Sequence, residues 1–200
     1  VFGLAVDIGT TTVAVHLCHL ATGEVVGSAG AMNPQIRFGE DVMSRLSYLQ
    51  QNQDQAPQLT TAVREAVAKL AATAAFDAGI DLTDVIEATF VGNPVMHHLM
   101  LGIDPRQLGQ APFAMVTDES VTLMARDLKL SLNPGAHAYF LPCIAGFVGA
   151  DTAGVILSES PHGSDELTLV IDVGTNAEIV LGDNHRLFAC SSPTGPAFEG

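Results

Sequence analysis

The sequence predicts an α/β fold: a mixed sheet with flanking helices, followed by the opening strands of a second lobe. Three observations carry this. Leu4-Ala5-Val6-Asp7-Ile8-Gly9-Thr10-Thr11-Thr12-Val13 and Leu169-Val170-Ile171-Asp172-Val173-Gly174-Thr175-Asn176-Ala177-Glu178 read almost alike. Each is an apolar run, an Asp-x-Gly-Thr turn and a second run rich in β-formers, the pattern of a buried strand, a tight turn and a returning strand. Between the two copies, apolar residues switch to helical spacing. With 48% hydrophobic residues in 200, the chain can bury a sizeable core.

The elements follow in order. Residues 2–8, 11–20 and 24–31 read as consecutive strands, the last two joined by Ala21-Thr22-Gly23. Asn33-Pro34 ends this meander, and 39–51 carries Val42, Leu46 and Leu49 at helical spacing. Residues 58–78 form the clearest helix, with Leu59, Val63, Ala66, Val67, Leu70 and Ala74 on one face and Gly79 as its stop. A strand at 86–91, the turn Gly92-Asn93-Pro94 and a helix at 94–101 come next. Residues 104–133 are irregular, with a short strand at 120–124 and a helical turn at 124–129. A strand at 137–142, a helix at 148–159 and strands at 167–173, 176–182 and 186–190 close the chain. The expected division is a first lobe over 1–160 and the start of a second over 161–200, cut short at Gly200.

The chemistry of the repeated turn follows from its residue types. Glycine lets the backbone come close to a ligand. Successive N–H groups in a tight turn form a nest for anions, and threonine hydroxyls add donors to phosphate oxygens. An aspartate would repel phosphate directly, so Asp7 and Asp172, each at a strand end, suit a hydrated Mg²⁺ that bridges to it. Such a turn also occurs in ordinary hairpins. Two matched copies, each behind apolar residues, point instead to related halves facing one ligand. Gly9, Thr10, Thr11 and Thr12 are then expected against the terminal phosphates from one side, and Gly174, Thr175 and Asn176 from the other. Alternation along a strand leaves open whether Thr11 and Thr12 face the ligand.

These turns resemble the two phosphate loops of the actin, sugar-kinase and heat-shock ATPase superfamily, an actin-like (ribonuclease H-like) fold. Gly149-Ala150-Asp151-Thr152-Ala153-Gly154-Val155 resembles its connecting helix, where small residues let two helices cross closely. Four further stretches narrow the match: Asn33-Pro34-Gln35 with Gly39-Glu40-Asp41-Val42-Met43-Ser44-Arg45-Leu46; Gly92-Asn93-Pro94-Val95-Met96-His97-His98-Leu99; Leu141-Pro142-Cys143-Ile144-Ala145-Gly146-Phe147-Val148; and Ser191-Ser192-Pro193-Thr194-Gly195-Pro196-Ala197-Phe198-Glu199-Gly200. Together they resemble the ATPase region of the reductive activators of corrinoid proteins, over nearly the whole chain.

The resemblance implies ATP and Mg²⁺ as cofactors and a corrinoid protein as partner, whose cobalt is returned from Co(II) to Co(I). It places Asp151 near the γ-phosphate, orienting water or metal; read by itself, Asp151 is equally a helix N-cap. It implies an iron–sulfur cluster in a ferredoxin-like domain ahead of the ATPase region, which this chain lacks. It puts the adenosine loops beyond the second phosphate loop, so the chain alone is expected to bind nucleotide weakly. A small-molecule kinase of the same superfamily and a non-catalytic partner-binding module are the alternatives, and a homodimer is left open. Asp41 and Arg45, four apart, read as a plain surface pair. His97 and His98 diverge by about 100° on a helix and do not suit one metal, so one is expected packed and the other exposed. Glu178 stands where the first copy has Val13, facing either the site or solvent.

Composition excludes other classes. A formal net charge of −14 argues against nucleic acid and anionic membranes. Residues 130–150 carry no charge, but Asn133-Pro134-Gly135 and Pro142 break them into turn, strand and loop rather than a membrane span. Cys18, Cys143 and Cys190 show no metal-ligand spacing and read as buried hydrophobes in a reducing cytoplasm.

Overall fold

The computed structural model describes residues 1–194; Gly195–Gly200, including Glu199 and the end of the last family-like stretch, lie outside the described residues. Strands β1 (Phe2–Ile8), β2 (Thr12–His19) and β3 (Val25–Met32) form the expected antiparallel meander. β4 (Val85–Gly92), β5 (Val121–Met124) and β6 (His137–Phe140) complete a six-stranded sheet in the order β3-β2-β1-β4-β6-β5. β4 runs parallel to β1 and β6, so the ends of β1 and β4 point the same way and their turns lie side by side. β7 (Thr168–Val173), β8 (Asn176–Gly182) and β9 (Leu187–Pro193) form a separate three-stranded antiparallel sheet.

Helices cover both faces of the larger sheet. α1 (Val42–Gln51), α2 (Ala56–Ala78) and α3 (Pro94–Leu101) share the main core with Leu4, Val6, Ile8, Val13, Val15 and Leu17. α2 starts two residues before its predicted boundary, with Pro57 in its first turn, and ends on Gly79 in the left-handed conformation. Phe90 belongs to this core and stacks on Phe140, while its neighbour Val91 packs into a second, smaller cluster with Leu141, Cys143 and Ala150. Successive strand residues face opposite ways, so α4 (Ala150–Glu159) lies on the face opposite α3.

Several expectations are corrected. Asp41 and Arg45 are not a surface pair. Asp41 caps α1 in a reciprocal box with Ser44, while Arg45 is fully buried. His97 and His98 are both buried, because α3 is inside from Pro94 to Met100 and has no solvent face. Of the three cysteines only Cys143 is buried, its thiol pushed up to about 12 by burial. Cys190 is exposed on β9, in a sheet where Leu169, Ile171, Val173 and Phe188 are also exposed among the described residues. The small residues of α4 serve a close approach to a strand. A Cβ on Gly149 would lie 2.6 Å from Asn93 Cα and Gly92 O, and one on Gly154 would lie 3.3 Å from Val91.

Candidate functional site

The two Asp-x-Gly-Thr turns meet. Thr11 Oγ1 and Thr175 Oγ1 are 3.4 Å apart, 164 positions apart in the chain. Around them lies a cleft of about 290 Å³ lined by Asp7, residues 9–12, Asn93, Asp151, Asp172, residues 174–176 and Glu178. Every residue expected at a phosphate or metal site therefore borders one space. Asn93 is an addition, and Glu178, open in the sequence between site and solvent, faces the site. An Asn before Pro reads as a helix cap, which Asn93 also is, with Oδ1 accepting from Val95 N and Met96 N at 3.1 Å. Nothing in the sequence signals that its Nδ2 also reaches Thr10 Oγ1 at 3.0 Å. A larger cavity of about 520 Å³ beside α1 is lined mainly by glutamines and by Asp104 and Arg106, which pair with each other. Its charges are spent locally, whereas those of the smaller cleft converge on open space.

The loops are similar but not identical. β1 stops at Ile8 and β2 starts at Thr12; β7 stops at Val173 and β8 starts at Asn176. The second turn is one residue shorter, so register places Asp7 opposite Ala14 but Asp172 opposite Glu178. Glu178 thus occupies the place of Ala14, not of Val13, and its side chain lines the cleft. Ser191, its partner on β9, donates to Glu178 Oε1 at 3.0 Å. A Cβ at Gly9 would lie 2.6 Å from Thr12 O, so this tight turn requires glycine.

Asp151 is not the N-cap of its helix. Gly149 takes that place, and Asp151 stands in the first turn, its Oδ1 accepting from Thr152 N at 2.8 Å. Four carboxylates thus line the cleft, and they act on one another. Asp7 reaches the water of the cleft, yet protein crowds its carboxyl. That loss of solvation, with the charges of Asp151 and Asp172, raises its pKa to about 6. Asp151 is raised by burial and by Asp172; Glu178 is raised by burial and by Asp151 and Asp172, against the hydrogen bond from Ser191.

Mutual repulsion among oxygen-only donors is what a hard divalent cation relieves, so the donor set fits Mg²⁺. Among the described residues no three His, Cys, Asp or Glu side chains converge closely enough to ligate one ion directly.

Comparison with known proteins identifies the lineage of this cleft. A family described as the RACo middle region matches residues 2–164, and the C-terminal domain of RACo, the ASKHA domain, matches 166–200. The chain belongs to the RACo family. The corrinoid activation enzyme RamQ of Eubacterium limosum is 36% identical over 200 residues, all of this chain and 33% of the relative. The [Co(II) methylated amine-specific corrinoid protein] reductase of Methanosarcina barkeri is 28% identical over 209 residues, again all of this chain and 37% of the relative. A solved structure, "Reductive activator for corrinoid,iron-sulfur protein", superposes with a TM-score of 0.96 at 40% identity, covering 100% of this chain and 32% of its own. The chain spans about a third of the length of these relatives. Its fold is the actin-like ATPase fold, with a mixed sheet and flanking helices. Among the described residues no helix is long and apolar enough to cross a membrane.

Proposed function

We propose that this chain is the phosphate-gripping part of an ATP-dependent reductive activator of corrinoid proteins. The observation that carries the reading is the 3.4 Å approach of Thr11 and Thr175 from two matched turns, above four carboxylates. Loop amides and hydroxyls on both sides suit an extended phosphate chain, and the carboxylates suit its cation. Relatives named for corrinoid activation and for Co(II) corrinoid protein reduction support the class of partner.

On this reading residues 9–12 hold the terminal phosphates from one side and Gly174, Thr175 and Asn176 from the other. Asp7 and Asp172 hold hydrated Mg²⁺, which when bound neutralises phosphate charge. Asp151, deeper in the cleft and with a raised pKa, positions the attacking water and takes its proton. Because the two turns belong to different sheets, gripping one phosphate chain ties their relative position to the state of the nucleotide. That coupling suits a protein that must shift a corrinoid partner towards its reducible form. Three cysteines on separate elements do not make a four-thiolate cluster, so the reading assigns this chain the nucleotide-driven step and not electron transfer.

The test is Co(II)-to-Co(I) reactivation of a corrinoid protein by the full-length protein with ATP, Mg²⁺ and a reductant. ATP-dependent reactivation lost in Asp7→Ala and Asp172→Ala supports the reading. Unchanged reactivation in both variants refutes it, and ATP turnover stimulated by sugars instead of corrinoid protein would favour a kinase.

A further inference from the structure

Among the described residues Arg45 is the largest fully buried side chain, and no carboxylate there makes an ion pair with it. Asp41, whose charge acts on it, is an exposed helix cap engaged with Ser44. A buried cation without a counter-charge is expensive. Its contacts show where it is directed: Nε donates to Gly39 O at 2.9 Å, Nη1 to Met96 Sδ at 3.2 Å, and Nη2 to Thr10 O in the first turn.

Neighbouring groups act on the same turn. Asn33 Nδ2 donates to Gly9 O at 2.8 Å, and Asn33 N donates to Thr11 O at 2.7 Å. Three consecutive carbonyls are therefore drawn towards the protein body. In a trans peptide the C=O of one residue and the N–H of the next point opposite ways. Holding Gly9 O and Thr10 O inward turns the N–H groups of Thr10 and Thr11 outward, to the side of the cleft. Asn33 and Arg45 share Met96 Sδ as a second acceptor, which ties both side chains to α3.

We infer that Arg45 and Asn33 are positioning residues for the first phosphate loop: they set its peptide planes so that its amides face the terminal phosphates. This rests on the reading of the cleft as an ATP site. It also gives one physical task to stretches otherwise far apart in the chain, since Asn33, Arg45 and Asn93 all grip residues 9 and 10.

The experiment uses the full-length protein with Arg45→Lys, Arg45→Met and Asn33→Asp. Asn33→Asp keeps the oxygen that accepts from Gln35 N at 3.0 Å and removes the donor to Gly9 O and Met96 Sδ. Steady-state ATP turnover, competition by ADP and by adenosine, and thermal unfolding are measured for each. The expected result is a KM for ATP and an inhibition constant for ADP raised about tenfold or more, the scale of a lost charge-assisted hydrogen bond. Inhibition by adenosine, which carries no phosphate, should change less than about twofold, with Arg45→Lys restoring part of the loss seen in Arg45→Met. Folded Arg45→Lys and Asn33→Asp proteins with wild-type KM overturn the inference, as does equal loss of ADP and adenosine binding. Should Arg45→Met fail to fold, Asn33→Asp decides. A wild-type protein that turns over no ATP overturns the functional reading itself, a result distinct from wild-type turnover with unaffected variants.

Discussion

Asp172 and Glu178 stand directly opposite each other on β7 and β8, two acids paired across a hairpin and both bordering the cleft. Like charges in that relation destabilise a sheet. The first turn carries Asp7 opposite Ala14 and avoids the conflict. The second half of the site therefore gives up local stability to concentrate negative charge where the proposed cation would sit. Replacing Glu178 by Gln should stabilise the Mg²⁺-free protein by about 0.2–1 kcal/mol, the range for cross-strand pairs. Urea unfolding with and without Mg²⁺ checks this, and a lower midpoint without Mg²⁺ would contradict it.

The carboxylates at the strand ends should be needed for turnover. Asp7→Asn and Asp172→Asn in the full-length protein are each expected to lower Mg²⁺-dependent ATP turnover about 10–100-fold, the usual loss when a group that holds a metal through its outer shell is removed. Steady-state kinetics across a Mg²⁺ titration measures it. Partial recovery at high Mg²⁺ is expected, because the lesion is in metal retention.

The pKa of Asp7, about 6, sets a pH dependence of definite sign. An ordinary aspartate starts from 3.8, so between these values the folded protein binds more protons than the unfolded chain. Stability attributable to Asp7 is present below about pH 4 and is lost as pH rises through about 6. In Mg²⁺-free buffer Asp7→Asn should therefore raise the melting temperature at pH 7–8, and the gain should vanish near pH 4. Thermal melts over pH 4–8 decide, with a gain that instead grows towards low pH counting against it.

Gly149→Ala tests how closely α4 must approach β4. The added Cβ would lie 2.6 Å from the backbone of Gly92 and Asn93, contacts that only movement can relieve. The expected cost is about 1–3 kcal/mol, typical of overpacking. Denaturant unfolding measures it. Because α4 carries Asp151 and the turn carries Asn93, ATP turnover should fall in the same variant.

Much of the architecture was legible in local pattern. The meander, the long helix, the helix over Pro94–Leu101 and the closing hairpins follow from alternation, helical spacing and the punctuation of Gly and Pro, all short-range effects. The repeat of Asp-x-Gly-Thr also named the residues that border the cleft, because a tight turn for an anion restricts residue types strongly. Local pattern failed where burial depended on distant partners. Arg45 lies four residues from Asp41 and reads as half of a surface pair, but α1 turns it inward onto a carbonyl 35 positions away. His97 and His98 read as one inside and one outside, yet α3 is enclosed on every side.

The sequence by itself thus determined the elements, the two matched turns and the chemistry those turns can support, since each depends on residues close together in the chain. Tertiary structure alone decided that the turns face each other at 3.4 Å, that Glu178 takes the place of Ala14, and that Asn33, Arg45 and Asn93 hold the first turn from behind. The physical reason is that a parallel β1–β4 pairing and the packing of α1 and α3 in one core juxtapose residues with no local relation, and a buried polar group takes whatever partner that packing supplies.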